Sequence, residues 1–222
     1  EYRDIVPQID ELYDMYLQLR QSREARGAID FDTKETRIIF DDTRKIAEIV
    51  PTVRNEAHKL IEECMLAANV CTAKFLDSFE IPSLYRVHEG PKDEKLANLQ
   101  QFLGELGLSM PRSGKISPQD YRNLLASIEG RPDAHLIQTV MLRSMNQARY
   151  QPENLGHFGL AYTAYTHFTS PIRRYPDLLV HRAIRAFIRS GKRSQKVKRP
   201  EGLEFLAFEK SYPYDKAAML GF

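Results

Sequence analysis

Eleven consecutive residues, His167 to Asp177 (HFTSPIRRYPD), bring together a hydroxyl pair, two adjacent guanidinium groups, aromatic rings and an imidazole. Ser170 is a favourable N-cap and Pro171 suits the first helical position, so the stretch predicts the start of an amphipathic helix continuing through His181 to Arg189. A helix start offers unpaired backbone N–H groups to an anion, and Arg173 and Arg174 can add bidentate phosphate contacts. Tyr165, Phe168 and Tyr175 stand nearby as candidate stacking platforms, worth about 1–3 kcal/mol per base in single-strand binders. The chemistry this suggests is recognition of a nucleic-acid backbone. Each residue also has a plain structural role open to it. Ser170 serves as a cap without any ligand, Arg174 as a surface ion-pair partner, the aromatics as core, and His167 and His181 as hydrogen-bonded structural histidines.

A second cluster lies on a long helical pattern over residues 53–80. His58 and Glu62, four apart, share a face, with Glu63 beside them. That pair could hold a metal or form a helical salt bridge; two ligands without a third are weak support for a metal. Asp30 and Asp32, and the Asp41-Asp42 turn, read as exposed acids. Cys64 and Cys71 are the sole cysteines. Their spacing fits two reduced thiols on one apolar face and makes no zinc site, which favours a reducing, cytoplasmic location.

The elements that must position these groups follow from periodicity. Residues 8–25 predict a helix ending near Gly27; 28–31, 36–40 and 45–50 predict short strands. The helix over 53–80 is expected to turn Ala57, Leu60, Ile61, Cys64, Met65, Ala68 and Cys71 inward. Residues 83–88 read as a strand, 93–106, 118–129 and 133–148 as helices, and 155–165 as strand-like or irregular. A basic loop at 191–200 and a helix near 202–219 follow. The expected architecture is α+β, helices packed on a mixed or antiparallel sheet, in a single domain spanning 1–222.

Composition sets further bounds. At 222 residues, 42% hydrophobic and 28% charged, the chain is an ordinary globular sequence able to bury a core. No apolar run approaches the roughly 18 residues that would span a bilayer. The net charge of +2 conceals ten basic residues between Pro171 and Pro200 against one acid, Asp177. Such a local field attracts polyanions with strong salt dependence, or is simply a solvated charged loop.

The segment His167–Arg182 (HFTSPIRRYPDLLVHR) resembles the signature of the ribonuclease II/ribonuclease R exoribonucleases. Residues from about 10 to 190 resemble the bacterial ribonuclease R form of their catalytic domain. Arg26–Phe31, Ala57–Met65, Gln138–Met145 and His157–Leu160 support the likeness in the same order. The resemblance implies a partial ribonuclease II-type catalytic domain. Its activity would be processive 3′→5′ hydrolysis of single-stranded RNA to nucleoside 5′-monophosphates. It further implies that Arg173 stabilises charge at the scissile phosphate, that a glutamate at the Glu62 position contacts a terminal sugar, and that an aromatic near Phe31 stacks on the last base. The family's Mg²⁺-binding aspartates, grouped around an Asp-Ile-Asp-Asp-like motif, have no counterpart in this sequence, and no cold-shock or S1-type domain is present. The chain, beginning at Glu1 without Met, therefore reads as the later portion of the catalytic domain, inactive alone.

Three alternatives accompany that reading. The chain could be an RNA-binding fragment without catalysis, or a scaffold docking RNA-decay or translation-quality-control proteins. The third is a His58/Glu62 metallohydrolase.

Overall fold

The computed structural model describes residues 3–31, 36–52, 54–111 and 115–189. A 3₁₀ turn at Arg3–Ile5 leads into helix α1, Val6–Arg26, with proline in its first turn. Gly27 ends α1 in the left-handed conformation (φ 79°), which glycine adopts without the Cβ penalty. Strands β1 (Thr36–Phe40) and β2 (Ile46–Pro51) form an antiparallel hairpin. Its turn is tied by Asp41 Oδ1, which accepts from the backbone N–H groups of Thr43 and Lys45 at 2.8 and 2.9 Å. Helix α2, Glu56–Ser78, opens with a capping box in which the Asn55 side chain accepts from His58 N and His58 Nδ1 accepts from Asn55 N.

Strand β3 (Tyr85–Val87) pairs antiparallel with β4 (Arg149–Gln151) in the register Arg86↔Tyr150. Between them lie α3 (Asp93–Glu105), α4 (Pro118–Ser127) and α5 (Ala134–Ser144). Leu99, Leu103, Tyr121, Leu124, Ile137 and Met141 from these helices enclose the largest buried cluster, and Phe31 packs on its edge. Helix α6, Tyr175–Arg189, carries Leu179, Val180, Ala183 and Phe187 onto Leu76, Ile81 and Leu84. Phe187 meets Phe75 and Phe79 with ring centroids 5.4 and 4.7 Å apart, which closes this second core.

The α+β expectation holds, with two antiparallel, two-stranded sheets among the described residues. Several boundaries move. Among the described residues, 28–31 pair with no strand; Ile29 N instead donates to Gly159 O at 2.9 Å. The helix expected over 133–148 stops at Ser144, whose buried hydroxyl bonds to Met141 O and to the Tyr121 hydroxyl, and the chain turns extended at Met145 before β4. The basic loop at 191–200 and the helix near 202–219 lie outside the described residues.

The inner face of α2 is also rotated from the sequence expectation. Leu60, Glu63, Leu66, Asn69, Val70, Ala73 and Leu76 are buried, whereas Ile61 and Cys71 are exposed. Apolar periodicity missed this because two of the inward positions, Glu63 and Asn69, are polar and find partners from distant segments.

Gly156 has φ +75°, and a Cβ there would lie 3.0 Å from the Tyr162 carbonyl oxygen. Gly156→Ala is expected to cost about 1–3 kcal/mol in a denaturation midpoint experiment, from left-handed strain plus that backbone contact.

Candidate nucleic-acid interface

The segment 165–177 is anchored from below by a single buried amide. Asn69 of α2 donates to the Tyr165 hydroxyl at 3.0 Å, and its Oδ1 accepts from Phe168 N at 2.9 Å. Thr166 Oγ1 donates to Leu84 O at 2.6 Å. His181 Nε2 lies 2.8 Å from Phe168 O, and its ring stacks on Phe168 with centroids 4.1 Å apart. Both histidines of the motif therefore have structural partners, since His167 Nδ1 lies 2.6 Å from the Tyr150 hydroxyl. Tyr165 is core as well. Asn69 carries no sequence signal beyond being a polar residue in a helix, and sequence reading passed it over.

Ser170 does not cap a helix. Residues 171–173 form a turn in which Ser170 O accepts from Arg173 N and Arg174 N at 3.3 and 3.0 Å, and α6 begins only at Tyr175. Asp177 decides this arrangement. Its Oδ2 accepts from Ser170 N (2.8 Å) and from Arg174 Nε and Nη2 (3.2 and 2.8 Å), pulling the turn onto the first turn of α6. Of the two roles open to Arg174, the structure shows the ion pair, and a buried one: its side chain is 12% exposed and that of Asp177 0%. The neighbouring positions point outward: Ile172, Arg173 and Tyr175 are exposed.

Positive charge gathers behind this turn. Arg86 lies over the Tyr150 ring at 4.6 Å, its cross-strand neighbour, and its Nη1 is buried without a hydrogen-bond partner among the described residues. Burial, first, and then the nearby Arg174, Arg86 and Arg173 charges push the His167 imidazole down to about 3. Burial likewise takes His157 to about 3, assisted by His88 and Arg86. Both rings are neutral at pH 7, so neither serves as a proton donor of imidazolium type there.

A carboxylate network forms a separate part of the surface. Arg23 Nη1 donates to Glu62 Oε1 at 3.1 Å and to Glu63 Oε1 at 2.6 Å, and its Nη2 lies 3.7 Å from Asp30 Oδ1. Arg54 contacts Glu62 Oε2 and lies 3.6 Å from Asp30. A cleft of about 440 Å³ opens beside the network, walled by Arg20, Arg23, Asp30, Arg54 and Arg122. His58 is engaged in the α2 capping box, and the hydrogen bonds of Glu62 run to Arg23 and Arg54, so the helical salt bridge open to His58 and Glu62 is not formed. No group of three or more His, Cys, Asp or Glu side chains able to hold a metal occurs among the described residues. Asp30, Glu62 and Glu63 are already paired with Arg23 and Arg54. These residues do not fit a divalent ion.

Residues 2–190 match the family model of the RNB domain. The chain belongs to the RNB domain family. Among RNB relatives it is 54% identical over 187 residues to Ribonuclease R of Vibrio cholerae, covering 84% of this chain and 23% of that protein. It is 50% identical over 185 residues to Ribonuclease R of Escherichia coli, covering 83% and 23% respectively. The chain thus spans under a quarter of the length of these relatives. In structure, this RNB chain is similar to Mycoplasma genitalium RNase R in complex with ribose-methylated single-stranded RNA. The TM-score is 0.84 at 28% identity, over 97% of this chain and 33% of that one. Among the described residues, no helix of the RNB chain is long and apolar enough to cross a membrane.

Proposed function

We propose that this RNB chain forms the RNA-positioning portion of a cytoplasmic 3′→5′ exoribonuclease. That enzyme hydrolyses single-stranded RNA processively to nucleoside 5′-monophosphates. The observation that carries the reading is the 170–177 turn. A buried Arg174–Asp177 pair holds it in one conformation and leaves Arg173 and Tyr175 on the exposed side. In this role Arg173 binds the scissile phosphate and stabilises charge that develops on it, a task suited to an always-charged planar fork. Ser170 and Tyr175 line the strand beside it. Glu62 accepts from a terminal 2′-OH, and Phe31 stacks on the last base. Arg174 and His167 support the turn from beneath. Hydrolysis would also use divalent metal ions, Mg²⁺ in this reading, held by carboxylates other than Asp30, Glu62 and Glu63.

The test is equilibrium binding of the purified chain to a 5′-labelled single-stranded oligoribonucleotide, with products resolved by length in the presence of Mg²⁺. Binding is expected to weaken steeply with salt, and Arg173→Ala to weaken it about tenfold or more, the worth of a hydrogen bond to a charged group. The oligomer should stay at full length. Binding indifferent to both salt and Arg173→Ala would overturn the reading in favour of a protein-interaction role. A ladder shortening from the 3′ end would mean that this chain carries a metal centre of its own.

A further inference from the structure

Arg23 is the hub of the carboxylate network, and its geometry differs from that of Arg54 in a way that assigns it a task. The Arg23 side chain is 12% exposed, whereas that of Arg54 is 41% exposed. Its shortest bond, 2.6 Å, runs to Glu63, which is 5% exposed and fixed on the inner face of α2. The guanidinium is thereby locked in place before it reaches anything else. From that position the same Nη1 holds Glu62 and Nη2 faces Asp30, the residue preceding Phe31. Phe31 in turn packs against the α3–α5 core. One arginine on α1 therefore links the α2 carboxylate to the segment that carries the aromatic ring. Glu62 keeps acceptor capacity beyond these contacts, because each carboxylate oxygen has two lone pairs and Arg23 and Arg54 engage one oxygen apiece.

We propose that Arg23 is a positioning residue for ribose recognition: it sets Glu62 at a fixed distance from the Phe31 base platform, so that the terminal 2′-hydroxyl is read. The inference rests on the functional reading above, which makes Glu62 and Phe31 substrate contacts. Lysine cannot replace the arginine here, because a point charge with a flexible stem cannot bridge three carboxylates as a planar fork does.

The experiment measures affinities of the full chain for two fluorescent oligomers. One is all-ribose and the other ends in two 2′-deoxynucleotides at its 3′ end. The wild-type chain is expected to prefer the all-ribose oligomer by about tenfold, the worth of one charge-assisted hydrogen bond. Arg23→Lys should bring that ratio close to one. Its affinity for the deoxy-ended oligomer, set by phosphate contacts, and the salt dependence should stay within about twofold. Glu62→Gln should reduce the ratio in the same way.

If Arg23→Lys keeps the wild-type ratio while Glu62→Gln loses it, the inference is overturned and the functional reading stands. If the wild-type ratio is one, or the chain binds no RNA, the reading itself fails and the inference with it. Should Arg23→Lys not fold, Arg23→Met combined with Glu63→Met removes the buried pair with little change in volume, an exchange that folded proteins tolerate. The double variant is expected to lose the ratio, and its retention would overturn the proposal.

Discussion

Asp177→Ala is expected to lower stability by about 3–5 kcal/mol, the range for removing one partner of a buried ion pair. The carboxylate is wholly buried and accepts three hydrogen bonds through Oδ2. Its loss leaves the Arg174 guanidinium buried at 12% exposure near Arg86 with no anion to offset it. It also releases Ser170 N, so the turn that presents Arg173 is no longer tied to α6. Asp177→Asn keeps the shape and an acceptor but removes the charge, and should cost roughly half as much, about 1.5–3 kcal/mol. Urea denaturation of both variants checks the ordering. A loss below about 1 kcal/mol for the alanine variant would show that Arg174 finds another partner. Total stabilities of 5–15 kcal/mol make the larger figure visible as partial unfolding.

Acidification from pH 7 to 5.5 should destabilise the chain by about 2 kcal/mol through His157 and His167 together, about 1 kcal/mol for each. Both rings stay neutral in the fold until about pH 3, whereas in the unfolded chain they take up protons near 6.5. Between those values the unfolded state binds more protons, so stability falls as the pH is lowered through that window and is unaffected by these groups well above 6.5. Burial pushes His88 down too, so it adds in the same direction. Burial is the main reason charging is resisted, and the hydrogen bonds to the ring nitrogens show what charging would disturb. Gly159 N donates to His88 Nδ1 at 3.0 Å and Leu160 N donates to His157 Nδ1 at 3.2 Å, so a proton on either atom would break the bond that holds the 156–162 loop. Denaturation midpoints at pH 7.5, 6.5 and 5.5 test this in a range above most carboxylate titration. A flat or rising profile would mean that these rings are charged in the folded chain.

Much of the local structure could be read from single residues. Gly27, expected to end the first helix, does so at a left-handed position, and Asn55 and Ser117 cap α2 and α4 with their side chains; these interactions reach only a few residues along the chain. The helix expected from Pro171 shows where such reasoning stops. Ser170-Pro171 is a valid helix start, yet the Ser170 N–H donates to Asp177, seven residues on, which buries its charge against Arg174, and α6 begins only at Tyr175.

The HFTSPIRRYPD motif, its arginine pair and the RNB likeness were determined by residue identity and spacing alone. Tertiary structure decided which member of each adjacent pair faces outward and what holds it there: Arg173 rather than Arg174, and Glu62 beside a buried Glu63. The reason is that burying a charge is favourable only with a partner, and the partners, Asp177 for Arg174 and Arg23 for Glu63, are brought into place by the packing of α6 and of α1 against α2.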